Sequence, residues 1–278
     1  MKMPNPELRT ARTVRYVTKK KARRSRLLFW QTVAIRVGFF AALFLVWYVI
    51  TSAATWNRML FPTPVEVFKT LGSSLSDGSM LKAIAASMKR LVVGYGLSLL
   101  IGIPLGLMLG RVKWLDDTIG TLSLGFQALP SICWLPLAIL WFGLSEGSML
   151  FVIVMGSLMA VILSVRDGVK KIPRLYLRAS RVLGATGWKS YYYVIFPASL
   201  PSILSGAKIG WSFAWRSLMA AELLYVNDGL GSSLMMAREL HDMTLVVSTM
   251  IVIVIIGLLF DRILFGGLER AVHRRWGL

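Results

Sequence analysis

Cysteine and histidine are almost absent: Cys133, His241 and His273 are their only occurrences in 278 residues. No intrachain disulfide is possible, and a Cys/His metal site lacks its ligands. Acid is also scarce, with 13 Asp and Glu against 32 Lys and Arg, a formal charge of +19. Charged residues of both signs make up only 16%, where a soluble domain carries roughly 25%. A phosphate loop, GxxxxGK[ST], is missing as well. The nearest approach is GATGWKS, where Trp188 separates Gly187 from Lys189 and Val182 stands at the first glycine's position. The chain is therefore not expected to bind or hydrolyse ATP by itself. GYGLSLLIG, from Gly94 to Gly102, has no βαβ unit around it and is no dinucleotide fingerprint. No His, Asp or Ser cluster has catalytic spacing, so an enzyme is not expected.

What the chain does have is apolar sequence: 56% hydrophobic residues and a mean hydropathy of +0.64. A bilayer core takes roughly 20 apolar residues in a helix. Val37–Trp56 and Leu91–Gly110 each give 20 residues without a charge, Thr118–Ser145 gives 28, Gly147–Val165 gives 19 and Met243–Phe260 gives 18. Ile203–Val226 is a weaker sixth, carrying Lys208, Arg216 and Glu222. The expectation is an all-α polytopic membrane protein with six transmembrane helices, at about 30–56, 91–110, 118–145, 147–165, 203–226 and 243–265. A basic arm, residues 1–28, precedes a permease-like membrane domain, residues 29–278. The first run is too long for a signal peptide and is read as an uncleaved span.

The basic residues are not spread evenly. Ten of the 32 fall in the first 26 residues and seven more in Arg166–Lys189. Segments assigned to the outside hold six: Arg58, Lys69, Lys82, Lys89, Arg90 and Arg238. This is the positive-inside pattern, not a nucleic-acid footprint. It predicts a multi-pass protein of the bacterial cytoplasmic (inner) membrane, with both termini and the loop 166–202 cytoplasmic and no nucleic-acid partner. After the first span, FPTPVEVFKTLGSSL predicts an amphipathic helix from near Val65, lying along the outer surface. Gly102, Gly106 and Gly110 recur every fourth residue, a spacing that lets helix backbones approach closely in lipid.

The loop between the fourth and fifth spans reads as two helices with a break. Pro173 suits a first turn, and Leu175, Ala179, Val182 and Leu183 share one apolar face. Arg174, Arg178 and Arg181 share another. Gly184 and Gly187 bracket the end of this short helix. Trp188 and Tyr191–Tyr193 suit a membrane interface, and Pro197 and Pro201 mark the return into lipid. An apolar face there, with no core to bury it, wants a partner.

At this point the chain resembles the ABC importer permeases of the type I fold, whose EAA loop, EAA-x3-G-x9-I-x-LP, occupies this position. Arg178-Ala179-Ser180 stands at EAA, Gly184 at the glycine, Val194 at the Ile and Phe196-Pro197 at Leu-Pro. Arg replaces the family's Glu. FPTPVEVFKTL, LPSICWLPLAILWFG and LPSILSGAKIGWSFAWRSLMAAELL resemble the branch that imports nitrate, sulfonate, taurine or bicarbonate. The resemblance implies a homodimer of six-span permeases, two cytoplasmic ATPase subunits carrying ATP and Mg, and an extracytoplasmic substrate-binding protein. It implies that Leu175, Arg178, Ala179, Ser180, Val182, Leu183, Gly184, Ala185 and Pro197 couple the membrane domain to the ATPase.

Candidates for the translocation path come from the fifth span. Lys208, Ser212, Trp215, Met219 and Glu222 line up on one side of a helix, with Arg216 slightly off the line. Charges inside a membrane line a cavity or pair with one another. Arg216 could thus attract an anion, or Arg216 and Glu222 could pair structurally; both satisfy the sequence. Pro130 and Pro136 interrupt the third run and make Gln127, Ser131, Cys133 and Trp134 minor candidates. Asp261 and Arg262 are expected to anchor the end of the sixth span. The alternative is a secondary transporter or channel working without an ATPase. Such a carrier would show more intramembrane acid than Glu222 and often an internal repeat.

Overall fold

The structure is a computed structural model that describes residues 30–53, 60–224 and 228–276. The basic arm, 1–28, lies outside the described residues, as do the last residues of the first predicted span. The chain divides into two compact units, Met1–Glu66 and Val67–Leu278.

In the first unit, α1 (Trp30–Ser52) is a 23-residue apolar helix. Near its end Thr51 donates its hydroxyl to the carbonyl of Trp47 at 2.9 Å, and the Trp47 indole donates to the carbonyl of Pro62 at 3.3 Å. The start of α2 (Pro64–Ser76) is a capping box. The Thr63 amide donates to the Glu66 carboxylate at 2.9 Å, and the Glu66 amide donates back to the Thr63 hydroxyl at 3.4 Å. Pro64 takes the first helical position, where a missing N–H costs nothing. The amphipathic helix expected from near Val65 is this one.

The second unit continues through α3 (Ser79–Leu109), α4 (Lys113–Leu115), a π turn (Asp116–Gly120) and α5 (Thr121–Ala128). A 3₁₀ turn (Ser131–Trp134), α6 (Leu135–Phe142), α7 (Glu146–Lys170) and α8 (Arg174–Val182) follow. Next come α9 (Trp188–Ser190), a π turn (Tyr191–Ile195), α10 (Phe196–Glu222) and α11 (Leu230–Glu239). The chain ends in α12 (Met243–Leu259), a π turn (Phe260–Phe265) and α13 (Gly266–Trp276). Among the described residues every regular element is helical.

The centre of this unit is α7, which packs against both α3 and α10. The predicted glycine stripe on α3 makes that possible. A Cβ on Gly102 would come within 2.9 Å of Val161, one on Gly106 within 2.7 Å of the Ile162 carbonyl, and one on Gly110 within 2.5 Å of Val169. The α10 side uses the same device, which the sequence reading did not single out: a Cβ on Gly210 would lie 2.6 Å from Val161. Hydroxyls tie the helices across these close contacts. Ser157 donates to Ser98 at 2.7 Å, and Tyr95 donates to the Ala207 carbonyl at 2.7 Å.

Among the described residues four helices are long and apolar enough to cross a membrane: Trp30–Ser52, Ser79–Leu109, Glu146–Lys170 and Met243–Arg270. Lys113–Ala128 and Ser131–Phe142 make a fifth only as a pair, bent by 104°. With 27 residues, α10 reaches about 40 Å, but its Lys208, Arg216 and Glu222 dilute its hydropathy. A count of six is thus not reached by length and composition.

The boundaries also differ from the predicted spans. The second span starts at Ser79, not near 91, so Lys82, Lys89 and Arg90 belong to a helix rather than to an outer loop. The third, expected as one run over 118–145, is broken where Leu129 and Pro130 adopt extended backbone. Pro136 interrupts nothing: it lies in the first turn of α6, where proline is tolerated. The fourth helix runs on to Lys170. The fifth needs no return at Pro197, because helical backbone continues from Trp188 through Pro197 and Pro201 to Glu222. A wider π turn immediately before Pro197 accommodates the missing proline donor.

Candidate functional site

Three places in the second unit are candidates for function. The first is α8. Its apolar residues are uncovered: Leu175 is 70% exposed, Val182 88% and Leu183 85%. Ala179 is exposed beside them, and Arg174, Arg178 and Arg181 are exposed on the arginine face. Ser180 alone is buried, donating its hydroxyl to the Leu177 carbonyl at 3.1 Å. The helix ends in a Schellman turn. The Ala185 amide donates to the Ser180 carbonyl at 2.8 Å, and the Gly184 amide to the Arg181 carbonyl at 3.0 Å. Gly184 sits at φ +79°, the left-handed position this turn requires. Gly187, at φ +55°, reverses the chain into α9. The break is therefore set by two glycines, and Pro197 lies inside the following helix instead of hinging it.

The second place is the exposed side of α10. Ser212 and Arg216 lie on it, whereas Trp215 and Glu222 are buried in the chain and Met219 is partly covered. The predicted stripe is thus split between two faces. Trp215 packs in the core with Leu218 and Val252, and Lys208 lies 3.5 Å from both Asp261 and Glu269. Asp261 therefore ties the end of α12 to α10. The Arg216 guanidinium stands 4.7 Å from the centre of the Phe213 ring and donates to the Ser212 carbonyl at 3.0 Å. Beside it is a cavity of about 280 Å³ that brings Arg216 together with Gln127, Ser131, Phe126 and Phe213. Three sequence-predicted residues from two distant segments meet here. Trp134 backs this wall, edge-on to Phe126 at 5.2 Å and to Phe151 at 6.3 Å. Cys133 is exposed.

The third place was not anticipated. Glu222, 1% exposed, pairs with Arg90 at 3.0 Å and not with Arg216. The Ser87 hydroxyl lies 2.8 Å from the Glu222 carboxylate, which also accepts the Gly231 amide at 2.9 Å. Ser87 accepts from the Leu230 amide at 2.8 Å, and Arg90 reaches on to Glu146 at 3.3 Å and to the Asp228 carbonyl. One cation thus joins α3, the start of α7, the end of α10 and the turn into α11. The sequence held one clue: a buried acid demands a cation. Arg90 stands directly before the apolar run from Leu91, where the sequence alone predicts an outer loop. At the opposite end of α7, Asp116 pairs with Arg166 and Lys170, closing α7 onto the π turn.

Comparison with known proteins gives a consistent result. The family model described as binding-protein-dependent transport system inner membrane component matches residues 102–276. A putative ABC transporter permease protein of Methanocaldococcus jannaschii is 38% identical over 68% of this chain and 71% of its own. The taurine transport system permease protein TauC of Escherichia coli is 30% identical over 90% and 93%. The nitrate import permease protein NrtB of Synechocystis is 28% identical over 80% and 83%. Among solved structures, an inward-facing form of the MetNI methionine ABC transporter superposes with a TM-score of 0.62 at 19% identity, over 70% of this chain and 96% of that one.

Proposed function

The chain belongs to the binding-protein-dependent transport system inner membrane component family, and from that premise we propose that it moves a small oxyanion and is driven through α8. It is an ABC importer permease with the type I permease fold, a multi-pass membrane protein and not an enzyme. Beyond this, we infer an assembly of several chains. Two copies form the pore, two ATPase subunits bind ATP and Mg, and an extracytoplasmic binding protein delivers the solute. The α8 end and both termini face the cytoplasm.

The observation that carries the reading is the uncovered apolar face of α8, locked in place by Gly184. Hydrophobic side chains this exposed, on a helix rigidly closed at its end, suit a groove on another protein. When the ATPases close on ATP, a rod held this way would transmit their displacement to α7 and α10. The oxyanion reading rests on Arg216, which stands on an open face beside Gln127 and Ser131, and on the taurine and nitrate named for the relatives. A guanidinium with neutral donors around it binds an anion without fixing its identity.

The test is a Val182→Asp/Leu183→Asp variant purified with and without the ATPase subunits of the same operon or genome. We expect the permease to fold while losing ATPase co-purification and uptake together. Uptake at the wild-type rate in that variant would refute the coupling role of α8. Arg216→Gln separates the substrate claim, because it should lower anion uptake and leave ATPase docking intact.

A further inference from the structure

We propose that the corner between the end of α3 and the start of α9 binds one anionic phospholipid. Its phosphate sits between Arg111 and Arg181, and an acyl chain lies along α3. Two adjoining cavities define the site. The first, about 290 Å³, is lined by Arg111 and Arg181 together with Thr186 and Ser190. The second, about 550 Å³, runs beside Ile103, Leu107 and Met108 of α3 and is closed by Trp188, Tyr192 and Phe196. Val112 and Tyr191 line both, so a cationic, hydroxyl-bearing compartment opens into an apolar one.

The chemistry of the two halves selects the occupant. Two guanidiniums and two hydroxyls offer donors for a phosphate. Among the described residues no carboxylate pairs with Arg111 or Arg181; the nearby Asp116 is engaged with Arg166 and Lys170. The apolar half offers only hydrocarbon and aromatic surface to an occupant, which a free anion would not use. Trp188, 87% exposed, and Tyr192, 72% exposed, stand at the junction, as interfacial aromatics do at headgroup level. On α8, Arg181 belongs to the arginine face, apart from Leu175, Val182 and Leu183, while Ala185 lines the cavity and also belongs to the segment assigned to the ATPase.

A second groove provides an internal contrast. It measures about 250 Å³ and is lined by Met219, Leu223, Leu234, Met250, Ile253 and Val254, with no cation. It should take lipid chains without regard to headgroup. Assigning the phospholipid to the inner leaflet rests on the orientation proposed above; the binding itself does not.

The experiment uses the full chain, extracted from nanodiscs of equal phosphatidylglycerol and phosphatidylcholine, with retained lipid counted by native mass spectrometry. Wild type should keep one phosphatidylglycerol in preference to phosphatidylcholine by roughly thirty-fold, the weight of two arginines at an anionic surface. Arg111→Gln/Arg181→Gln should bring the ratio close to parity, Arg111→Lys/Arg181→Lys should retain most of the preference, and Met108→Trp should lower occupancy by filling the groove. Equal retention in wild type, or an unchanged ratio in the glutamine variant, overturns the proposal. So does displacement of the lipid by millimolar inorganic phosphate, which would mark a free-anion site, or by added ATPase subunits, which would give the pocket to them. Sidedness is read separately, by labelling Thr186→Cys in a Cys133→Ser background with an impermeant reagent. An outward result there removes the inner-leaflet assignment and leaves the lipid measurement standing.

Discussion

Two groups of arginines in the second unit treat charge in opposite ways. In one, Arg90 is enclosed with Glu222 and tied to two further segments. In the other, Arg111, Arg178 and Arg181 are exposed, next to an uncovered apolar face. Enclosed charge holds parts of one chain together, because removing either partner strands the other in a medium that solvates it poorly. Exposed charge of a single sign beside exposed hydrophobic surface has no such internal task. It is available to other molecules, for which we propose an ATPase and a lipid.

The contrast can be broken most sharply at Glu222. Glu222→Ala leaves the buried Arg90 with only the largely exposed Glu146 as an ion-pair partner, and we expect a loss of about 3–5 kcal/mol, read as a fall in folded yield and melting temperature in detergent. Arg90→Met/Glu222→Leu should recover much of that loss. If single and double variants are equally unstable, the pair is not what holds these segments. Gly106→Leu probes the packing of α3 on α7. With the Ile162 carbonyl 2.7 Å from its Cβ position, overpacking should cost about 1–3 kcal/mol, measured in the same way.

Around the exposed arginines the expected effects on stability are smaller and those on function larger. Gly184→Val meets no neighbour within 4 Å but must adopt φ +79°, a strain of about 1–2 kcal/mol. ATP turnover should persist while uptake falls, and undiminished uptake would count against the rod. The smallest effect is expected at His241, which sits at φ +58° and closes α11 with the same type of turn that Gly184 gives α8. His241→Gly should change stability by under about 1 kcal/mol, because relief of the left-handed strain is offset by glycine's greater freedom when unfolded. Transport should be unchanged.

Much of this was legible along the chain. The apolar runs, the glycine stripe of α3, the amphipathic helix from near Val65, and the one ended by Gly184 are local patterns whose physics acts within a few residues. The path candidates were legible only in part. Periodicity placed Lys208, Ser212, Trp215, Met219 and Glu222 on one side of a helix, but not which arc of that helix would meet α7 and α12. The structure turned Trp215 and Glu222 inward and left Ser212 and Arg216 open.

By itself the sequence determined that this is a helical membrane protein with a short amphipathic helix ended by Gly184, because hydropathy, helical period and glycine's backbone freedom are properties of short segments. Only the tertiary structure decided that Glu222 pairs with Arg90 rather than Arg216, that Gln127, Ser131 and Arg216 share one cavity, and that Arg111 meets Arg181 beside an apolar groove. Those encounters join residues far apart in the chain, and which of many possible partners a buried charge finds depends on how the helices cross.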